Sequence, residues 1–255
     1  MADPYEIAGS TYSSDKAIDI LHGYLKADNA MSLEETSRSI LELLPTKASL
    51  STEVFGFGED CFEVAESSSY RESTHLKVAN LLETLGESGK IYRFQRLGES
   101  LRENYSSPDD KNPAEYVNYN SFVAHFYERR IFPTNPTYAI WAMRAALEED
   151  LANEEKTVRS AYLLGAAQWL LWNGQTLFKL ITDSNLHNNT TSDDLQLWKP
   201  GPLYRGKGIF DLERWQFWKY RFAQVIKECD VTDECKEVTG NVVDLMDSIE
   251  RTTLF

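Results

Sequence analysis

Redox, metal and nucleophilic chemistry have little to draw on in this sequence. Its 255 residues include only three cysteines and four histidines. Cys61, Cys229 and Cys235 are an odd number, and the six-residue step between the last two fits neither a CxxC redox pair nor a zinc-ligand pair. The expected state is free thiols in or near the core. His22, His75, His125 and His187 are scattered, without HxH or HExxH and without the paired Glu-x-x-His turns of a di-iron bundle. No metal site and no cofactor are expected. A GxSxG elbow is missing, as is a DDxxD run to hold magnesium against pyrophosphate. Strand signals are almost absent: the sole candidate, Val54 to Phe57, is weakened by its glycine.

Positive charge is also scarce. Lys and Arg number 26 against 40 Asp and Glu, a net charge of −14. That field repels polyphosphate and argues against nucleic-acid binding. No apolar run approaches the roughly 18–20 residues that span a bilayer, so no membrane association is expected. Met1 to Ser14 is polar and acidic, unlike a secretory signal or an Arg-rich transit peptide. These features point to the cytoplasm, with the nucleus as the other compartment they allow, where the sequons at Asn104 and Asn189 go unused.

What the sequence does hold is aromatic and helical. Aromatics make up 12% and apolar residues 42%, enough for a sizeable core and too many for disorder along the whole chain. Ala17, Ile18, Leu21 and Leu25 share one helix face. Ser32 to Glu35 reads as a capping box opening a helix with Ile40, Leu41 and Leu44, which Pro45 stops. Leu76, Ala79, Leu82 and Leu85 form another stripe, ended by Gly86 or Gly89; Leu97 and Leu101 indicate a short helix. Pro113 and Pro136 sit at expected first helical positions after Asn112 and Asn135 as N-caps. Tyr116, Val117, Asn120, Val123, Ala124 and Tyr127 line the first of these helices; Tyr138, Trp141, Ala142, Ala145 and Glu148 line the second. From Ser160 to Ile181 the pattern is apolar on most of its circumference, which places that helix centrally.

Residues 183–208 read as a long surface loop, and residues 1–12 as a flexible tail. Two amphipathic helices follow, one carrying Leu212, Trp215, Trp218, Phe222 and Val225, the other Val242, Leu245, Met246 and Ile249. The expectation is one all-α domain over 1–255, a multi-helix bundle or irregular α-solenoid of about nine to eleven helices. No fixed-period repeat supports a regular array.

Few constellations carry chemistry. Gly201 to Lys207 matches GxxxxGK, but Gly208 stands where the phosphate loop needs Ser or Thr, and no strand precedes it. A weaker anion site survives, with Arg205 and Lys207 before a helix N-terminus near Asp211. Residues 1–110 carry a net −10, whereas residues 199–227 hold seven basic side chains against Asp211 and Glu213. Those cations either pair with the acidic N-terminal half or meet a ligand. Glu148 to Asp150 and Asp193–Asp194 read as solvated acidic surface. Trp215 and Trp218 read as core, joined by Trp141, Trp169 and Trp172, with their indole N–H groups in need of partners.

The runs Tyr116 to Ala124, Tyr138 to Glu148, Ala166 to Trp169 with Gly174, and above all Phe210 to Phe222 resemble the fungal OpdG-like family, catalogued as domain of unknown function 3632. The resemblance spans about residues 70–230. It implies an intracellular fungal protein, in some members associated with secondary-metabolite gene clusters, and supplies no catalytic residues to carry over.

Two functional readings follow. The first is a non-enzymatic binding or scaffold protein acting as an accessory factor, with a protein partner or a small-molecule ligand. The second is a small-molecule cyclase or isomerase using an interhelical cavity lined by Arg144, Glu148, Arg214 and Lys219, with Trp215 and Trp218 beside them. A homodimer through an exposed aromatic face is compatible with either.

Overall fold

The computed structural model describes residues 12–26, 31–45, 51–88, 96–131, 136–183, 191–207, 209–228 and 230–253. Among them are eleven α-helices and no strand. The described contacts group into two compact units, residues 1–106 with 125–133, and residues 107–124 with 134–255.

The first unit contains α1 (Ser14–Leu25), α2 (Leu33–Leu43), α3 (Thr52–Glu66), α4 (Thr74–Glu87) and α5 (Leu97–Glu103). The capping box at α2 forms as expected: Glu35 N–H donates to Ser32 Oγ at 3.1 Å, while Ser32 N–H donates to Glu35 Oε2 at 3.0 Å. These bonds from the Ser32 backbone and hydroxyl hold the Glu35 carboxyl below its usual range.

The sole strand candidate is instead the first turn of α3. Ser51 caps it by accepting from Val54 N–H at 3.2 Å, and Val54, Phe57, Cys61, Phe62, Val64 and Ala65 bury along its faces. Tertiary packing outweighs the helix penalty of Gly56 and Gly58 here: a Cβ at Gly58 would lie 2.8 Å from Ser100 Oγ on α5. Helix α4 runs through Gly86 and ends at Ser88, with Gly89 outside the described residues.

Residues 1–11 of the expected tail also lie outside the described residues. Tyr12 does not behave as tail, since it is buried and its hydroxyl donates to the buried Asp60 carboxylate.

The second unit begins with α6 (Pro113–Arg129), whose residues up to Ala124 belong to it and whose last turn belongs to the first unit. This helix buries nearly its whole circumference from Tyr116 to Phe126, Asn118, Tyr119 and Ser121 included. It stops at Arg130, which has a left-handed φ of 54°. There α7 (Thr137–Met143) follows, with Pro136 as its N-cap rather than its first helical residue; Asn135 lies outside the described residues. A single π-helical turn, Arg144–Glu148, closes α7.

The central helix α8 (Lys156–Thr182) is buried on most sides, as its composition predicts. Its Gly165 lets α6 approach, because a Cβ there would lie 2.6 Å from the Tyr116 ring. Two expectations on this unit fail. Trp172 is 42% exposed rather than core, and Leu212 is 38% exposed. Leu212 is the first residue of its helix.

The expected loop over 183–208 is also more structured than its polarity suggests. Residues 184–190 lie outside the described residues, but Thr191 and Asp194 form a second capping box that opens α9 (Ser192–Leu197). Beyond it Trp198, Gly201 and Tyr204 are buried. The unit ends with α10 (Leu212–Glu228) and α11 (Asp233–Thr253), which pack on each other and on α8.

Candidate functional site

The π-helical turn explains how a glutamate at the end of an otherwise apolar stripe comes to lie inside the second unit. The wide turn breaks the i→i−4 ladder at its end and rephases the side chains that follow, and α10 packs against it. Glu148, expected at a solvated acidic surface, is fully buried. The reason is Arg214, also fully buried.

Arg214 grips the carboxylate with two prongs. Its Nε donates to Glu148 Oε1 at 2.6 Å and its Nη2 to Oε2 at 3.0 Å. Trp218 Nε1 donates to Oε1 at 2.6 Å, and the Gly201 N–H donates to Oε2 at 2.6 Å. A buried carboxylate is tolerable only when its lone pairs are filled in this way.

The guanidinium is equally occupied. Its Nη1 donates to the carbonyls of Trp198, at 2.7 Å, and Ile209. One face lies 5.3 Å from the Trp218 ring centroid. Main-chain carbonyls left free at the end of the turn are taken as well: Glu148 O accepts from Leu203 N–H at 2.9 Å, and Leu147 O from Arg221 Nε at 3.1 Å. Arg214 and Arg221, seven apart on one face of α10, thus both address the π turn.

The other candidates lie around this cluster in closed contacts. Arg144 is half-buried and donates to Lys199 O at 3.2 Å. Lys219 donates to Asp247 at 2.8 Å and to Glu250 at 2.6 Å, both on α11. Burial opposes the Lys219 charge, but these two carboxylates outweigh it and raise its pKa. Trp215 is buried, donates to Glu250 at 2.8 Å and stands edge-on to Phe178 with centroids 5.0 Å apart. Arg214, Lys219 and Arg221 therefore find described partners on the π turn, on α11 and in the segment before α10.

Arg205 and Lys207 are exposed. The helix N-terminus that follows already carries a carboxylate, since Asp211 Oδ1 accepts from Arg214 N–H at 3.0 Å. Gly206 faces Glu213, whose Cδ would lie 2.8 Å from a Cβ at that position. The Tyr204 phenol is buried beside this segment, and burial, with Asp211 and Glu213 adding to it, pushes its pKa up.

Sequence reasoning missed Trp198, Gly201, Asp247 and Glu250. A lone Trp in a polar stretch was the available signal for Trp198, whose Nε1 donates to Thr137 Oγ1 at 2.8 Å. Gly201 is needed for close approach, because a Cβ there would lie 2.8 Å from both Glu148 Cβ and Glu148 O. The expected indole partners are found for five tryptophans: besides Trp198, Trp215 and Trp218, Trp141 donates to Leu197 O and Trp169 to Asn120 Oδ1, both at 2.9 Å.

Elsewhere the thiols of Cys61 and Cys235 are buried, with Cys229 outside the described residues. Burial, reinforced by Asp60, pushes the Cys61 thiol well up, so it stays protonated. His187 and Gly208 also lie outside the described residues. Among the described residues no three His, Cys, Asp or Glu side chains converge as metal ligands, and no helix is long and apolar enough to cross a membrane. In the first unit an open trough of about 620 Å³ runs along α2, lined by none of the residues discussed above as candidates.

A family model described as "Protein of unknown function (DUF3632)" matches residues 59–222. Comparison with curated proteins and with solved structures returned no match.

Proposed function

The chain belongs to the DUF3632 family, and on that premise we propose that it is a non-enzymatic, all-helical accessory protein that works by binding a protein partner. The observation that carries this reading is the closure of the Glu148–Arg214 cluster. The carboxylate accepts four hydrogen bonds, and the guanidinium is spent on Glu148 and two carbonyls. An acid–base or electrostatic catalyst needs a group that can face substrate; the side chains most suited to that role are engaged in holding the fold. The resemblance to fungal OpdG-like proteins supports a fungal, intracellular setting and a role in secondary metabolism.

Complementation in the host tests the proposal. Deletion of the gene is expected to alter the metabolite profile, and R144Q and K219M chains that melt like wild type are expected to restore it. An unchanged profile on deletion would count against a metabolic role. A folded variant that fails to restore the profile would show that these side chains do more than hold the fold and would favour the cyclase or isomerase reading.

A further inference from the structure

We propose that the first unit carries a docking trough for one amphipathic helix of another protein, bearing a Lys/Arg-x3-Asp/Glu-x3-Lys/Arg row beside an apolar row. The trough lies along α2, with Thr84 of α4 on its far wall. Its floor is the i, i+4, i+8 row Leu33, Ser37, Leu41. Ser37 is only 7% exposed, and its hydroxyl has no hydrogen-bond partner among the described residues. A larger aliphatic residue at this position would fill the trough; serine keeps it open.

The rim identifies the occupant. Glu34, Arg38 and Glu42 form the adjacent i, i+4, i+8 row, all three exposed and without an ion pair among the described residues. At 1.5 Å per residue this row spans about 12 Å, two turns of helix. Rows four residues apart are the ridges by which helices interlock. A helix laid along the trough therefore meets an apolar ridge and a minus–plus–minus ridge side by side. Its complement is an apolar ridge flanked by plus–minus–plus.

This chain cannot supply that complement. Nowhere in its sequence does a Lys or Arg stand four residues before an Asp or Glu that is itself four residues before another Lys or Arg. A second copy in the unshifted register would present its own Glu–Arg–Glu row like charge against like, and one offset by a turn would pair only two of the three charges. The trough's volume is within the range of small-molecule sites, but its open form would leave a small ligand half solvated, whereas a helix covers the whole length. None of the trough's residues belongs to the Glu148–Arg214 cluster, so the inference stands or falls separately from the accessory role.

Fluorescence anisotropy on the full chain tests it. The probe is a labelled helical peptide of about 15 residues carrying a Lys-x3-Glu-x3-Lys row beside a leucine row; the control carries Glu-x3-Lys-x3-Glu. The expected result is saturable binding of the probe, at least about tenfold tighter than the control and weakened by salt. In the E34K/R38E/E42K variant the preference is expected to reverse while the chain still melts cooperatively, because all three side chains are exposed. Equal affinity for both peptides, absence of saturation, or a preference that ignores the charge swap would overturn the proposal. So would sedimentation showing a dimer that the swap dissolves, since a second copy would then occupy the trough.

Discussion

Glu148 and Arg214, 66 residues apart, meet as a two-pronged ion pair with no solvent exposure on either side chain. Because the pair also holds Gly201, Trp218 and the carbonyls of Trp198 and Ile209, it joins the π turn, the segment after α9 and α10 into one cluster. Removing either partner leaves an uncompensated charge in a site that water does not reach.

Glu148→Ala is therefore expected to lower stability by about 3–5 kcal/mol, as is Arg214→Ala. Replacing both with hydrophobic residues of similar volume is expected to cost much less than the two single losses together. Urea denaturation of E148L, R214M and E148L/R214M, with the two alanine variants beside them, reads this directly. Additive costs would mean that the two residues are not coupled.

Two glycines are expected to respond to alanine with opposite signs. At Gly201 a Cβ would lie 2.8 Å from the Glu148 main-chain oxygen, which cannot move aside, so Gly201→Ala should destabilise by about 1–3 kcal/mol. Gly240, inside α11, offers open space, with Ile226 Cδ1 as the nearest contact at 3.9 Å. Gly240→Ala should stabilise by about 0.5–1 kcal/mol. Thermal melts of both variants distinguish steric need from mere tolerance.

The first unit is expected to lose stability in mild acid. Burial, aided by the positive charge of Arg129 and by repulsion from His75 once that ring protonates, pushes the His125 pKa down to about 4; Glu128, 3.8 Å away and half exposed, does not offset this. Burial likewise lowers that of His75, although its Nε2 bonds Ala65 O at 2.9 Å. Both groups are neutral in the folded chain and take up protons on unfolding. Their contribution is present above the unfolded value near 6.5 and is lost as pH falls from there toward 4. For His125 alone the loss is about 3 kcal/mol by pH 4. Urea midpoints between pH 7 and pH 4 should fall accordingly and fall less in H125Q; an unchanged midpoint would show that the histidines are solvated.

The cap of α2 is expected to be worth about 1 kcal/mol. Ser32→Ala removes the acceptor for Glu35 N–H, while Ser32→Gly should cost only a few tenths, because an exposed glycine N-cap leaves that donor open to water. Melting of the two variants orders them; equal losses would mean that the cap bond contributes nothing.

Local signals carried most of the helices. Ser32 to Glu35, the 3.6-residue stripes and the all-round apolar run to Ile181 each depend on neighbours within a turn or two, which is the range over which a helix is specified. The same locality explains the failures. Gly56 and Gly58 weaken α3 on propensity, yet Ser100 and the core over Phe57 and Cys61 decide it. The Thr191–Asp194 box was readable, but the polar residues around it hid the helix it opens.

For the cluster, residue types were legible and partners were not. Sequence alone established an acidic, all-helical chain with Arg144, Glu148, Arg214 and Lys219 as its notable charges, because composition and periodicity are properties of the chain itself. Whether those charges face solvent, a ligand or one another depends on long-range contacts such as Lys219 to Asp247, 28 residues apart, and Glu148 to Trp218, 70 residues apart. Only the tertiary structure decides that, since the cost of burying a carboxylate is set by the donors that folding brings to it.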